Sequence, residues 1–230
     1  MTQIIEQANP SWIEDNIPRS DRFSDTYYSK NDGQGETNHV FINGNDLPQR
    51  WTRSDHFTIG ELGFGTGLNF LETARQWCLN WQQGTTLQFV SFELFPLNIQ
   101  ELRRANSRWE NLQPLARHLC QNWSIDQPRL QIDFPCNVHL DIFFGDANTR
   151  LHDQNLDVDA WYLDGFSPSK NPELWNEKLM SDVYNATKSG GTIATYSVAG
   201  YVRRNLQSAG FTIDRAKGFA TKREMLKGNK

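Results

Sequence analysis

The sequence predicts an α/β fold: a mostly parallel, twisted sheet with helices on both faces, preceded by an N-terminal hairpin-rich extension. Three observations carry that expectation. The apolar run Phe57-Thr58-Ile59-Gly60-Glu61-Leu62 flows through Gly63, Gly65 and Gly67 into a helical pattern, which reads as a nucleotide-binding strand, loop and helix. Strand-like runs then alternate with helical stretches of about 10 to 15 residues, the pattern of a parallel sheet. The chain has 230 residues, 37% hydrophobic and 22% charged, so it can bury the core of a single domain without staples.

Each element has a local reason. Leu68, Leu71, Ala74, Cys78 and Trp81 recur at helical spacing and predict a helix over 66–81. A strand follows at 85–93, and Pro96 is placed to start the next helix, running to Ser107, because a first-turn residue needs no N–H. A further helix is expected at 112–122, then strands at 130–134 and 138–144, the first a candidate hairpin partner of the second. A short helix at 147–152 precedes a strand at 160–163 that ends in Asp164, and 172–186 reads as helical. Gly190 and Gly191 lead into a strand at 192–196, a helix at 201–208 and a last strand at 211–213. The first 55 residues break the alternation, with Asp32-Gly33 and Asn43-Gly44 as turn signals. They form an extension (1–55) packed on a core (56–230).

Composition narrows the function. No apolar stretch approaches the roughly 20 residues of a membrane span, and the N-terminus lacks the basic start and apolar run of a signal peptide. Cys78, Cys120 and Cys136 are odd in number without C-x-x-C spacing, so neither a disulfide framework nor a zinc site is expected, and the reducing cytoplasm is the natural compartment. His39, His56, His118, His139 and His152 show no metal-ligand spacing, and no hydrolase triad is evident. The net charge of −4 argues against a generally basic nucleic-acid binder, yet residues 201–230 carry a net +6. That segment is open to two readings: a face for a polyanion or a solvated tail.

Ligands of such sheets sit beyond the carboxyl ends of the strands, which gathers 61–67, 93–95, 145–146 and 164–168 into one region. The glycine spacing lacks the G-x-G-x-x-G of dinucleotide sites and the Lys-Ser/Thr of a P-loop. It matches the first motif of Rossmann-like class I methyltransferases, which use S-adenosylmethionine. Glu93 ends the second strand, where a carboxylate can accept ribose hydroxyls or merely cap a helix. Asp146 can accept from an adenine amino group or cap the following helix. Glu61 is placed to receive a methionine amino group, Asp164 stands where a reactive group would be needed, and Phe166 is expected to border the substrate pocket.

The chain resembles the methyltransferase domain of the MnmC family of tRNA wobble-uridine modification enzymes, including its stand-alone forms. The stretches that carry the resemblance are Phe23-Ser24-Asp25-Thr26-Tyr27-Tyr28, Asp32-Gly33-Gln34-Gly35-Glu36-Thr37 and Val40-Phe41-Ile42-Asn43-Gly44-Asn45-Asp46-Leu47. With them go the glycine loop, Asp164-Gly165-Phe166-Ser167-Pro168-Ser169-Lys170-Asn171-Pro172 and Lys222-Arg223-Glu224-Met225-Leu226. Ser167, Tyr28 and Ala220 depart from the usual Ala, Phe and Gly. The resemblance implies methylation of the aminomethyl group of 5-aminomethyl-(2-thio)uridine in tRNA. Asp164 would serve the amine, with Gly63, Gly65, Gly67, Glu93 and Asp146 on the cofactor and Glu61, Tyr27, Glu36 and Asn45 near its methionine end. Phe166, Lys170, Lys222 and Arg223 would meet the substrate. No flavin-binding module follows Lys230, so an FAD-dependent oxidase, separate or fused, is expected to supply the aminomethyl group. The alternatives are a related enzyme acting on another amine, in a small molecule or a protein, or a non-catalytic cofactor-binding scaffold.

Overall fold

The computed structural model describes residues 5–14 and 17–230; of the N-terminal start tested above for a signal peptide, residues 1–4 lie outside them. The main sheet has the order β10-β11-β9-β8-β4-β5-β7-β6. Its parallel centre comprises β4 (His56–Leu62), β5 (Thr86–Glu93), β7 (Val138–Phe144), β8 (Val158–Leu163) and β9 (Thr187–Thr195). Antiparallel strands close both ends, β6 (Arg129–Phe134) beside β7, and β11 (Glu224–Asn229) between β9 and β10 (Thr212–Lys217).

Helices cover both faces because the strands present apolar side chains on both. On one side Phe57, Ile59 and Tyr162 pack with α3 (Leu68–Asn80), α4 (Ile99–Asn106) and α5 (Gln113–Asn122). On the other, Leu62, Trp161 and Ile193 pack with α7 (Glu177–Asn185) and α8 (Gly200–Ala209), while α6 (Ala147–Arg150) follows β7. Gly60 is required by this packing, since a Cβ there would lie 2.6 Å from the Trp161 ring. Trp161, Tyr162 and Trp175 are all core residues.

The N-terminal region differs in part from expectation. Hairpins do form, from β1 (Ser11–Ile13), β2 (Ile17–Ser20) and β3 (Asp25–Thr26). Of the two turn signals, Asn43-Gly44 does lie in a turn, between two helical segments, whereas Asp32-Gly33 opens a helix. Asp32 caps α1 (Gly33–Glu36) by accepting from the Gly35 N–H at 2.8 Å, and the chain continues as a π-helical turn over Thr37–Ile42 before Asn43. With α2 (Leu47–Trp51), this segment buries Val40, Phe41, Ile42, Leu47 and Trp51 in the core shared with α3.

Other boundaries moved for local reasons. Pro96 stays outside α4, which is capped by the Asn98 side chain. β9 begins at Thr187, with a bulge that carries the two glycines past Val158 and Ala160 of β8. Strand β11 was not anticipated, because only Met225 and Leu226 mark it as apolar and its partners are distant. The expectation of free thiols fails at two positions: Cys78, near the end of α3, and Cys136, in the turn between β6 and β7, form a disulfide with Cα atoms 5.4 Å apart. Their 58-residue separation hides that proximity in the sequence. Cys120 is free and buried.

Candidate active site

A cavity of about 480 Å³ opens at the carboxyl ends of β4, β5 and β8, within the range of small-molecule sites. The glycine turn forms one wall. Gly63, Gly65 and Gly67 have φ of 88°, 54° and 74°, values costly for any residue with a Cβ. The turn is pinned from α4, where the Asn106 side chain donates to the Thr66 carbonyl at 2.8 Å.

Glu93 lines the cavity with both oxygens anchored, accepting from the Gly65 N–H at 2.7 Å and the Phe95 N–H at 2.8 Å. Burial raises its pKa, and these backbone donors oppose the rise. Asp164, at the end of β8, accepts from its neighbour's N–H (Gly165, 2.8 Å) and from the Asn69 amide (2.7 Å). Burial, reinforced by Glu36, pushes its pKa up to about 7 against the pull of Gly165, Asn69 and Lys222. Glu61 lies behind this pair and does not line the cavity. It is fully buried, accepts from Asn69 at 3.0 Å and from the Ser91 hydroxyl at 2.7 Å, and burial holds its pKa well up.

The N-terminal hairpins and α1, the loop after β8 and the loop between β10 and β11 form the cover. Phe166 stacks on Phe23 with centroids 4.7 Å apart and meets Tyr27 edge-on at 5.1 Å. Asp25 fastens this cover by accepting from the Ser167 N–H at 3.0 Å and pairing with Lys170 at 3.3 Å. Lys222, from the loop between β10 and β11, pairs with Glu36 at 2.7 Å, and both line the cavity.

The structure thus brings together Gly63, Gly65, Glu93, Asp164, Phe166, Tyr27, Glu36 and Lys222 around one space. Gly67 shapes the turn as the residue before α3. Other expected residues lie elsewhere. Asp146 caps α6, its Oδ1 accepting from the Asn148 N–H at 2.9 Å, and lies outside the cavity wall, so the structure bears out the cap reading. Asn45 is fully buried and joins Phe41, Trp161 and Thr192 by hydrogen bonds, which corrects its assignment to the cofactor. Lys170 braces the cover rather than the cavity, and Arg223 is exposed outside it.

Asn69 and Tyr196 were missed. Asn69 links Glu61 to Asp164 while its carbonyl accepts from the Thr37 hydroxyl at 2.7 Å. Its place in the first turn of α3, two residues after Gly67, was the available signal. Tyr196 lines the cavity and donates to the Gly165 carbonyl at 2.7 Å.

Fold and site together define an α/β protein with a nucleotide-type cavity at its strand ends. The profile of an S-adenosyl-L-methionine-dependent methyltransferase family matches residues 110–230, which include Asp164, Phe166 and Lys222, and the chain belongs to that family. It is 42% identical over 227 residues to the "tRNA 5-methylaminomethyl-2-thiouridine biosynthesis bifunctional protein MnmC" of Azoarcus sp. (strain BH72), covering 97% of this chain and 36% of the relative. The protein of the same description from Vibrio campbellii (strain ATCC BAA-1116) is 41% identical over 241 residues, with 98% and 35% covered. The chain therefore spans about a third of the length of these curated relatives. Among solved structures, MNMC2 from Aquifex aeolicus is similar with a TM-score of 0.76 at 21% identity, covering 97% of this chain and 70% of that one. Spermidine synthase from Thermotoga maritima gives 0.55 at 11%, covering 96% and 71%. Both similarities concern the fold.

Proposed function

We propose that the chain methylates the primary amine of 5-aminomethyl-(2-thio)uridine at the wobble position of tRNA, giving the 5-methylaminomethyl nucleoside. The observation that carries this reading is Asp164, a carboxylate with its pKa at about 7 on the cavity wall, two residues before the aromatic Phe166. The resemblance of the chain to the MnmC proteins supplies the substrate class.

The cavity fits S-adenosylmethionine. Glu93 offers carboxylate oxygens beside the glycine turn, and a Cβ at Gly65 would lie 3.3 Å from the Tyr27 ring, so the turn leaves little spare width there. When bound, the cofactor supplies a sulfonium methyl group open to attack by a neutral amine. Gly63, Gly65, Gly67 and Glu93 hold its adenosyl part, with Tyr27 across the turn.

Asp164 acts on the acceptor. An alkylammonium with a pKa of about 10 has no lone pair at neutral pH, so a proton must leave before nitrogen can attack. Transfer to a carboxylate of pKa near 7 is about three units uphill, roughly 4 kcal/mol in water, and desolvation of the ammonium in the cavity narrows that gap. An ordinary carboxylate would face twice the difference. Alignment of amine, methyl and sulfur supplies much of the remaining acceleration. Phe166, Phe23 and Tyr27 form an apolar wall that excludes water.

The basic segment 201–230, with Arg223 exposed, serves the tRNA backbone. Residues 1–55 are the cover and 56–230 the cofactor-binding core. An FAD-dependent oxidase provides the aminomethyl substrate, and the enzyme works in the cytoplasm, where the Cys78–Cys136 pair would stand reduced. No helix among the described residues is long and apolar enough to cross a membrane.

Nucleoside analysis of tRNA from cells lacking the gene tests the proposal. The aminomethyl nucleoside should accumulate and convert to the methylaminomethyl form on addition of purified protein and S-adenosylmethionine. Methylation of a free amine with no change in tRNA would overturn it.

A further inference from the structure

We propose that the groove between α4 and α5 is a second ligand site, for a small phosphate monoester that carries hydroxyl or amino donors, and that its occupant steadies the glycine turn. The site stands independently of the cofactor reading, and only its link to the turn rests on that reading.

A cavity of about 370 Å³ lies between the two helices, lined by Arg103 and Asn106 of α4 and, from α5, by residues that include Gln113, Ala116, Arg117 and Cys120. Their spacing puts the α5 residues on one face of that helix. None of these residues lines the cavity at the strand ends.

Asn106 defines what the groove can take. Its amide nitrogen donates to the Thr66 carbonyl at 2.8 Å and to the Leu102 carbonyl at 3.0 Å. Two carbonyl partners fix which end of the amide is nitrogen, so Oδ1 is turned away from them. The residue is 1% exposed, and this buried oxygen has no hydrogen-bond partner among the described residues. A buried acceptor without a donor is costly, and an N–H or O–H of a ligand relieves it. The Gln113 amide nitrogen serves the Asn106 and Trp109 carbonyls at 2.7 and 3.2 Å, so that side chain too has only its oxygen to offer.

The mouth has the opposite character. Arg103 and Arg117 are exposed, neither pairs with a carboxylate among the described residues, and no acid lines the groove. Cys120 brings no charge, because burial raises its thiol pKa against the pull of Arg103. Two unpaired guanidinium groups suit a phosphate monoester, which carries about −1.5 to −2 at neutral pH, better than a carboxylate. The ligand therefore lies with its donors inward and its phosphate outward. An RNA strand laid across the two arginines would leave the buried Asn106 oxygen unserved.

The amide that faces the groove also holds Thr66, between Gly65 and Gly67. A donor on Oδ1 polarises the amide and strengthens its bond to that carbonyl. Occupant and cofactor then favour each other's binding.

Calorimetry on the full chain with ribose 5-phosphate, cytidine 5′-monophosphate, cytidine and inorganic phosphate tests the site. At least one monoester should bind roughly 5- to 10-fold more tightly than inorganic phosphate, the scale of one added hydrogen bond, and cytidine should bind more weakly than either monoester. The tighter monoester distinguishes a sugar phosphate from a nucleotide. Arg103→Met and Arg117→Met should each weaken it by roughly 10-fold. With the groove saturated, S-adenosylhomocysteine should bind about 5-fold more tightly. Monoesters that bind no better than inorganic phosphate, or that keep full affinity when both arginines are replaced, would overturn the site. Loss of tRNA binding in that double variant, with neither monoester bound by the wild type, would make this an RNA face instead. Unchanged affinity for S-adenosylhomocysteine would overturn the link to the turn, whereas no binding of S-adenosylhomocysteine at all would remove the cofactor reading and leave the monoester result standing.

Discussion

Two donors converge on the Asp164 carboxylate, and neither neutralises it. Asp164→Ala and Asp164→Asn should keep S-adenosylmethionine binding and lose methyl transfer by a factor of about 100 or more, the scale of a missing acid–base group. Raising the pH should partly rescue both, because more amine then arrives neutral. In the wild type kcat/KM should rise as the pH passes about 7, where Asp164 gives up its proton. A pH-independent defect with lost cofactor binding would return Asp164 to a structural role. The same group predicts a stability profile. Its folded-state pKa of about 7 lies above the ordinary aspartate value of 3.8, so between those values the native state holds a proton that the unfolded chain releases. Its contribution to stability therefore falls as the pH rises through that window and levels off above it. Thermal melts of wild type and Asp164→Ala at about pH 5 and pH 8 should show the variant gaining relative to the wild type at the higher pH.

At the scale of elements, the β4 turn and α3 form the cavity wall proposed for the cofactor. Gly65→Val would force a β-branched residue to φ 54° and place its Cβ 3.3 Å from the Tyr27 ring. Strain of this kind costs on the order of 1–3 kcal/mol, an amount the core of a chain this size can absorb. Binding of S-adenosylmethionine should vanish in calorimetry while the far-UV spectrum stays native, and neither protein should bind NAD or ATP comparably. Wild-type affinity in the variant would remove the turn from the site. This element was legible because its signals are local: a seven-residue strand, alternate glycines and a helical pattern in immediate succession. The same holds for β5 ending in Glu93 and β8 leading to Asp164. What escaped depends on distance. Strand β11 exists through pairing with β9 and β10, Asn45 is buried by contacts from residues 161 and 192, and Cys78 meets Cys136 only when α3 packs on the sheet. Asp146 was ambiguous locally, since an aspartate after a strand serves a ligand and a helix cap equally well.

Over the whole molecule, charge is divided more sharply than the net of −4 suggests. Lys222 is engaged at the cavity, whereas the Arg223 side chain is exposed with no partner among the described residues. Arg223→Ala should weaken tRNA binding and reduce its salt slope by about one unit, with affinity for S-adenosylhomocysteine unchanged. An unaltered slope would make this arginine a solvated surface residue. The cavity cover has one more consequence, for synthesis. Phe23, Tyr27 and Glu36 leave the ribosome early, but Lys222 lies 186 residues beyond Glu36. A nascent chain that has emerged only through β9 already contains the glycine turn and Glu93 and lacks the residue that closes the far side. Closure of the cavity thus becomes possible only once the loop between β10 and β11 has been made. From then on, a ligand in the cavity would tie α1 to the loop between β10 and β11 and lower the chance that either frays alone.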